Sequence, residues 1–314
     1  MSRRTGRSSR SALVASLLVV GMVDTLAVAT EASAQLRFDR GQNVAPVFEG
    51  WERNPDGTFD MVFGYLNRNY EEMPAAPIGP DNSFEPGPAD RGQPTRFYTR
   101  RQQFVFRVQV PADWGDKDLV WTLTSNGRTD QAFGSLLPSW EIDDGVIKAN
   151  RGMGINGAPT DNQRPSISLP GGSELTVTRP NTLRLAAVVG DDGIPGPRPQ
   201  RPPRADSDDE DETDEERAAR QAAALRRAAR RRHPTTQAVV SARAAGETGL
   251  GLTWVHYRGP GSATFDPMSI SIEGGRGGEA VTTVTFTEAG THVLRGYADD
   301  SINTTPIDVT VIVR

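Results

Sequence analysis

The sequence predicts an all-β protein built as two antiparallel β-sandwiches, the second split by a long charged insertion. Three observations carry this. Apolar residues recur at every second position in short runs, such as Phe59, Met61, Phe63 and Tyr65, or Phe104, Phe106, Val108 and Val110; this is the period of a strand with one face buried. Turn residues divide the runs: Asn54-Pro55-Asp56-Gly57, Gly259-Pro260-Gly261 and Gly290. The acids and arginines crowded between Asp206 and Arg232 supply almost no apolar surface, so the strands on either side of them belong to one interrupted sandwich.

A chain of 314 residues has room for about two domains of ordinary size. Residues 1–34 belong to neither. Arg3, Arg4, Arg7 and Arg10 precede an apolar run from Ala12 to Ala29, and Ala32-Ser33-Ala34 offers small residues for cleavage, the pattern of a secretory signal. Asp24, Thr25, Thr30 and Glu31 shorten the run below a comfortable membrane span. Arg3-Arg4 lacks the apolar residue that would follow at once in a twin-arginine signal. The mature chain is therefore expected to be exported, to the periplasm, the outer surface or the medium, without a transmembrane segment.

Removing that signal takes away four arginines, one aspartate and one glutamate, leaving 31 basic against 38 acidic residues, a net charge of −7. Nucleic acid is an unsuitable partner for such a balance. The sequence contains no cysteine, so disulfides, thiolate metal sites and thiol nucleophiles are excluded. Histidine occurs only at 233, 256 and 292, scant material for a zinc site or a histidine-based triad.

The first domain is expected over 35–150. Val47–Arg53 and Thr58–Leu66 flank the Asn54–Gly57 turn as hairpin partners. Leu119, Trp121 and Leu123 add a further inward stripe. The segment from Asn67 to Tyr98, rich in Pro, Gly, Asn and charge, is too long for a simple hairpin loop, and long ordered loops are often functional. Arg68, Tyr70, Tyr98 and Arg100 are its candidate ligand-binding residues. The alternative is a loop that wraps and packs on its own sandwich. Residues 151–161, with Gly152, Gly154, Gly157 and Pro159, read as a linker.

Over 162–314 the expected strands are Leu183–Val189, Leu252–Tyr257, Val281–Phe286, His292–Ala298 and Ile307–Val313. Trp254 is mid-strand, and Val281, Val284, Phe286, Val293, Tyr297, Val309, Val311 and Val313 are available to fill two inward faces. The insertion, at about 196–236, carries nine acids between Asp206 and Glu216, followed by seven arginines among alanines from Arg217 to Arg232. Thr213 with Glu216 forms a capping box, and acids first with bases last suit the macrodipole, so a lone solvated helix ending before Pro234 is expected. As a polyelectrolyte arm it would pair with itself or with charged surface polymers; otherwise it is a tolerated surface addition.

The order Asn162-Gln163-Arg164-Pro165, Leu183-Arg184-Leu185, Asp191-Asp192-Gly193-Ile194-Pro195, Leu252-Thr253-Trp254, Gly259-Pro260-Gly261, Thr264-Phe265, Phe286, Gly290-Thr291 and Val293-Leu294-Arg295 resembles a polycystic-kidney-disease-type (PKD) domain over about half of the mature chain. The resemblance implies an immunoglobulin-like antiparallel β-sandwich serving as a spacer, adhesion or ligand-binding module, with no catalytic residues to carry over. The N-terminal half resembles uncharacterised secreted bacterial proteins, which implies no activity. One departure from the PKD pattern is His292, where the family places a tyrosine; the corner is then looser, or bridged by an imidazole nitrogen.

Glu141, Asp143 and Asp144 beside Trp140 form a compact acidic and aromatic cluster, but nothing sets a second carboxylate opposite them as glycoside hydrolysis requires, and a solvated turn accounts for them. No phosphate loop, serine elbow or metal triad is present. The reading is a noncatalytic exported protein that interacts with an envelope or extracellular polymer or protein. The alternatives are a carbohydrate- or polymer-binding module, for which two or more of Tyr65, Tyr70, Tyr98 and Trp140 would have to be exposed and coplanar, and a protein accessory to a hydrolase. If the loops after the second and sixth strands of the sandwich share one end, Asp191, Asp192, Asp299 and Asp300 converge, and calcium is the one cofactor expected to suit four crowded carboxylates.

Overall fold

The computed structural model describes residues 38–150, 161–196 and 249–314. The expected export signal, nearly all of the linker, the charged insertion beyond Gly196 and His233 lie outside the described residues. No helix among the described residues is long and apolar enough to cross a membrane.

The first sandwich faces a sheet of β1 (Val44–Arg53), β2 (Phe59–Asn67) and β4 (Arg100–Val110) against one of β3 (Asn82–Glu85), β5 (Leu119–Ser125) and β6 (Arg128–Gly134). The expected hairpin forms, with Val44 opposite Asn67 and Arg53 opposite Phe59 across the Asn54–Gly57 turn. Alternation breaks in β4. Between Phe63↔Phe106 and Tyr65↔Gln102 three residues oppose the single Gly64, and Phe104 sits in the bulge at φ 52°. Phe104 is therefore half-buried rather than a member of the core stripe that sequence alternation assigned to it; Val105 packs against the core instead. Gly64 is required there, since a Cβ would lie 2.3 Å from the Gln102 carbonyl.

Rings dominate this core. Trp121 stacks on Phe84 with centroids 5.8 Å apart and stands edge-on to Phe106 at 5.1 Å and Phe63 at 6.1 Å, geometries that add to the area the rings bury. After β6 a 3-10 turn (Pro138–Trp140) and a short helix, α1 (Asp144–Lys148), return along β1.

The second sandwich has a four-stranded sheet in the order β11-β13-β9-β7 and a five-stranded sheet in the order β12-β10-β14-β15-β8. The strands are β7 (Ser166–Ser168), β8 (Glu174–Val177), β9 (Leu183–Gly190), β10 (Gly251–Arg258), β11 (Ala263–Asp266), β12 (Ser269–Ser271), β13 (Gly277–Phe286), β14 (Gly290–Asp299) and β15 (Thr304–Val313). Apart from the parallel pair β8 and β15, neighbours are antiparallel. This is the immunoglobulin arrangement, in which the first, second, fifth and fourth strands share one sheet and the third, sixth and seventh the other. Trp254 on β10 is fully buried, and Gly296 on β14 makes room for it, as a Cβ there would come 2.9 Å from the indole.

Of the expected core residues, Trp254, Val284, Phe286, Val309, Val311 and Val313 join one cluster with Leu185, Leu252 and Leu294. Val281 and Val293 are half-buried; their neighbours Ala280 and Leu294 take the inward positions. Tyr297 lies outside that cluster and lines a cavity against residues of β2 and β4.

Candidate functional site

The long polar segment after β2 is knitted by buried amides. The Asn67 side chain donates to the Glu72 and Phe97 carbonyls at 2.7 and 3.0 Å. Asn82 donates to Ala76 and Pro94 at 2.9 and 2.8 Å and accepts from the Trp121 indole at 2.9 Å. Gln93 donates to Ala89 at 2.8 Å. Buried backbone groups need partners, and here asparagine and glutamine supply what a regular ladder would have. The segment is thereby held as a shaped surface.

That surface meets the second sandwich. Thr95 N–H donates to the Tyr257 carbonyl at 3.1 Å. The Tyr257 hydroxyl donates to Gly92 O at 2.6 Å, and Arg258 donates to Gln93 O at 2.7 Å and to both Asp90 oxygens at 2.8 and 3.0 Å. Gly259 N–H donates to the Thr95 hydroxyl at 3.3 Å, and Arg96 donates to Gly261 O at 2.5 Å. Further along β14, the Arg295 guanidinium lies 3.6 Å above the Tyr257 ring, forks onto Asp308 at 2.7 and 2.8 Å, and donates to Val105 O at 3.1 Å.

Four tyrosines, Tyr65, Tyr98, Tyr257 and Tyr297, line a small pocket at this junction with Arg96 and His256. Tyr98 accepts from His256 N–H at 2.8 Å. Burial pushes the Tyr98 hydroxyl up to about 12, against the pull of that bond, and raises Tyr65 and Tyr257 further. These hydroxyls serve as neutral hydrogen-bonding groups over the whole ordinary pH range.

The residues singled out from sequence separate here. Arg68, Tyr70 and Arg100 come together: the Arg100 guanidinium lies 4.0 Å over the Tyr70 ring and donates to the Arg68 carbonyl at 3.2 Å, all three being half-buried. Tyr98 belongs to the junction instead. Of the four aromatics from which a carbohydrate platform would need at least two exposed, Tyr65 is buried, Tyr70 and Tyr98 are half-buried, and Trp140 alone is exposed, at 47%. Phe133, at 56%, is a further exposed ring.

Glu141 pairs with Arg53 at 3.6 Å, Asp143 caps α1 by accepting from Val146 N–H at 2.9 Å, and Asp144 pairs with Arg164. The four aspartates expected to hold calcium occupy two loops at one end of the second sandwich, joined through Asn162, which donates to Ile194 O and accepts from Asn303. Each carboxylate accepts from backbone N–H groups of its own loop, and Asp192 also accepts from Gln163 N–H at 2.8 Å. Asp191 accepts from Gly193 N–H and Asp192 from Ile194 N–H, both at 2.8 Å. Asp299 accepts from Ser301 N–H at 2.8 Å, and Asp300 from Ile302 and Asn303 N–H at 2.6 Å. Burial raises Asp191 and Asp300 above the usual carboxylate range. Among the described residues no group of three or more His, Asp or Glu side chains is placed to hold a metal ion.

Of the two alternatives for the corner, looser or bridged, the structure has the imidazole bridge. His292 Nε2 lies 3.1 Å from Glu288 O, and its Nδ1 lies 3.1 Å from His256 Nε2. The tyrosine corner of immunoglobulin-like sandwiches ties the same place to the backbone through a hydroxyl.

No protein-family model matches the chain, and no curated protein matches it. Among solved structures, domains 4 and 5 of the S-layer protein SbsC align with 87% of this chain and 98% of that one at 10% identity and a TM-score of 0.23. Sidekick-1 immunoglobulin domains 1–4 align with 86% of this chain and 47% of that one at 8% identity and a TM-score of 0.21. A titin immunoglobulin tandem aligns with 87% and 99% at 9% identity and a TM-score of 0.20. Scores this low carry no argument, and the immunoglobulin-like assignment rests on the strand order itself.

Proposed function

We propose that this is a noncatalytic exported protein whose joined β-sandwiches bind an extracellular or envelope polymer or another protein. The observation that carries the reading is how the chemically able side chains are spent. The described histidines bond each other, the Tyr98 and Tyr257 hydroxyls bond backbone across the junction, and the acids of both clusters cap turns or pair with arginine. A catalytic set needs such groups converging on a reacting atom. Export follows from the composition of residues 1–34, and the PKD resemblance supports a spacer, adhesion or ligand-binding module.

The contact surface we assign is the Arg68, Tyr70 and Arg100 cluster, where a guanidinium already stacked on a ring can meet an anionic or hydroxyl-rich partner with little ordering cost. A glycan and envelope-fraction binding screen with the full chain tests this. Binding lost in Tyr70→Ala and Arg100→Ala supports it; binding untouched by both removes the cluster from the account. Hydrolysis of any glycan in the screen overturns the noncatalytic reading. The exposure of Trp140 and Phe133 favours a second reading, a carbohydrate-binding module; loss of glycan binding in Trp140→Ala with the arginine cluster intact would select it.

A further inference from the structure

We propose that the His256–His292 pair is an acid-sensitive latch: a proton taken up by the pair releases the Asp90–Arg96 segment from the turn Tyr257–Gly261, loosening the junction between the sandwiches.

Hydrogen bonding fixes both tautomers. Only an N–H can face the Glu288 carbonyl, so His292 carries its hydrogen on Nε2 and offers the Nδ1 lone pair to His256. His256 must then donate from Nε2, which leaves its Nδ1 as a buried acceptor without a hydrogen-bond partner. A proton has two places to go. On His292 Nδ1 it would confront the His256 N–H and break the pair. On His256 Nδ1 it would create a buried cation that the Arg96 charge opposes. Both rings are buried, at 1% and 0% exposure.

The groups facing the pair give no full compensation. Arg96 and the Tyr98 hydroxyl approach His256 from the long loop, Glu288 and the Phe286 ring approach His292 from the corner, and Gly259 covers it from the turn. Glu288 is the one acid among them. It favours a proton on His292, but burial outweighs it and holds that ring below its ordinary range. Burial first, then His292 and Arg96, hold His256 down at about 4.

The pair is wired to the junction through the backbone. Gly259 is packed so closely on His292 that a Cβ would lie 2.8 Å from Nδ1, with φ +128°. A moving ring therefore displaces Gly259, whose N–H is bonded to Thr95. Residues 257–261 hold the loop at Gly92, Gln93, Thr95, Arg96 and Asp90, and His256 N–H holds Tyr98. Opening that exposes His256 returns it to an ordinary value near 6.5. The open state then binds more protons than the closed one between these two values, so acid favours opening and neutral pH favours closure.

Amide hydrogen exchange on the full chain, corrected for the intrinsic effect of pH, tests the latch. Relative to pH 7, the opening constant read at Thr95 and His256 N–H is expected to rise about tenfold by pH 5.5 and several tens of fold by pH 4.5. Core amides of β9 and β13 should not follow. In His256→Gln, whose amide still donates to His292 but cannot titrate, the rise should shrink to the share that His292 alone contributes. Protection that does not change with pH, an equal rise in His256→Gln, or core amides rising in step would each overturn the proposal. Should that variant not fold, imidazole titration of the native chain decides: His256 protonating near 6.5 with Thr95 still protected contradicts the latch.

Discussion

The two sandwiches solve the same packing problem in different ways. In the first, Phe63, Phe84, Phe97, Phe106 and Trp121 interlock, and the Trp121 indole is hydrogen-bonded to Asn82. In the second, one indole, Trp254, is surrounded by aliphatic chains and its N–H is buried without a hydrogen-bond partner. The difference lies in what each core must anchor. Asn82 joins the ring cluster to a loop that has little ladder of its own, so packing and loop order are coupled in the first sandwich. The second obtains its backbone order from two full sheets and needs only volume at Trp254.

The largest expected effect separates these cases. Trp121→Ala and Trp254→Ala each leave an indole-sized cavity costing about 3–5 kcal/mol. Trp121→Ala also strips Asn82 of a donor, adding about 1–3 kcal/mol for the orphaned acceptor. Urea unfolding should rank Trp121→Ala below Trp254→Ala, and the reverse order would remove the coupling. Asn82→Ala should come next, at on the order of 3 kcal/mol for two carbonyls and an indole N–H left unpaired. Arg295→Ala is expected to cost about 2 kcal/mol, since it breaks the fork on Asp308 and the bond to Val105. Arg184→Ala, which removes an exposed pair with Glu279 at 3.6 Å, should stay within about 0.5 kcal/mol. Deleting Arg198–Arg232 behind a short Gly/Ser link should have a comparably small effect, because that stretch offers few apolar residues to any core and closure changes by about 0.6 kcal/mol per doubling of loop length. Thermal unfolding compares the Arg295, Arg184 and deletion variants.

Both cores were largely legible, because Met61, Phe63, Trp121 and Leu123, like Val309, Val311 and Val313, follow a strict period of two. Phe104 was not, since a bulge opposite Gly64 shifts the period and nothing nearby in the chain announces it. Val281 and Val293 failed for a related reason: β13 and β14 put Ala280 and Leu294 inward, a choice of phase that only pairing across the sandwich decides. The histidine at the corner was visible as a departure from a tyrosine pattern, but its partner His256 lies 36 positions away. The junction was the least legible. Arg295 and Asp308 become recognisable as cross-strand partners once Gly290 is set opposite Val313, while Arg258 with Asp90 is a pairing of exposed-looking charges 168 positions apart. The aspartate loops were placed at a common end, yet short-range amide bonds took up one oxygen of each carboxylate, a competition that composition cannot weigh.

Hydrogen bonds from residues 90–98 and the Arg295 bond to the Val105 carbonyl are expected to make one cooperative unit of two separately cored sandwiches. Scanning calorimetry of the full chain at pH 7 tests it most directly. The account predicts a single transition in which the calorimetric and van't Hoff enthalpies agree. Two resolved transitions at pH 7, one shifted by Trp121→Ala and the other by Trp254→Ala, would contradict it.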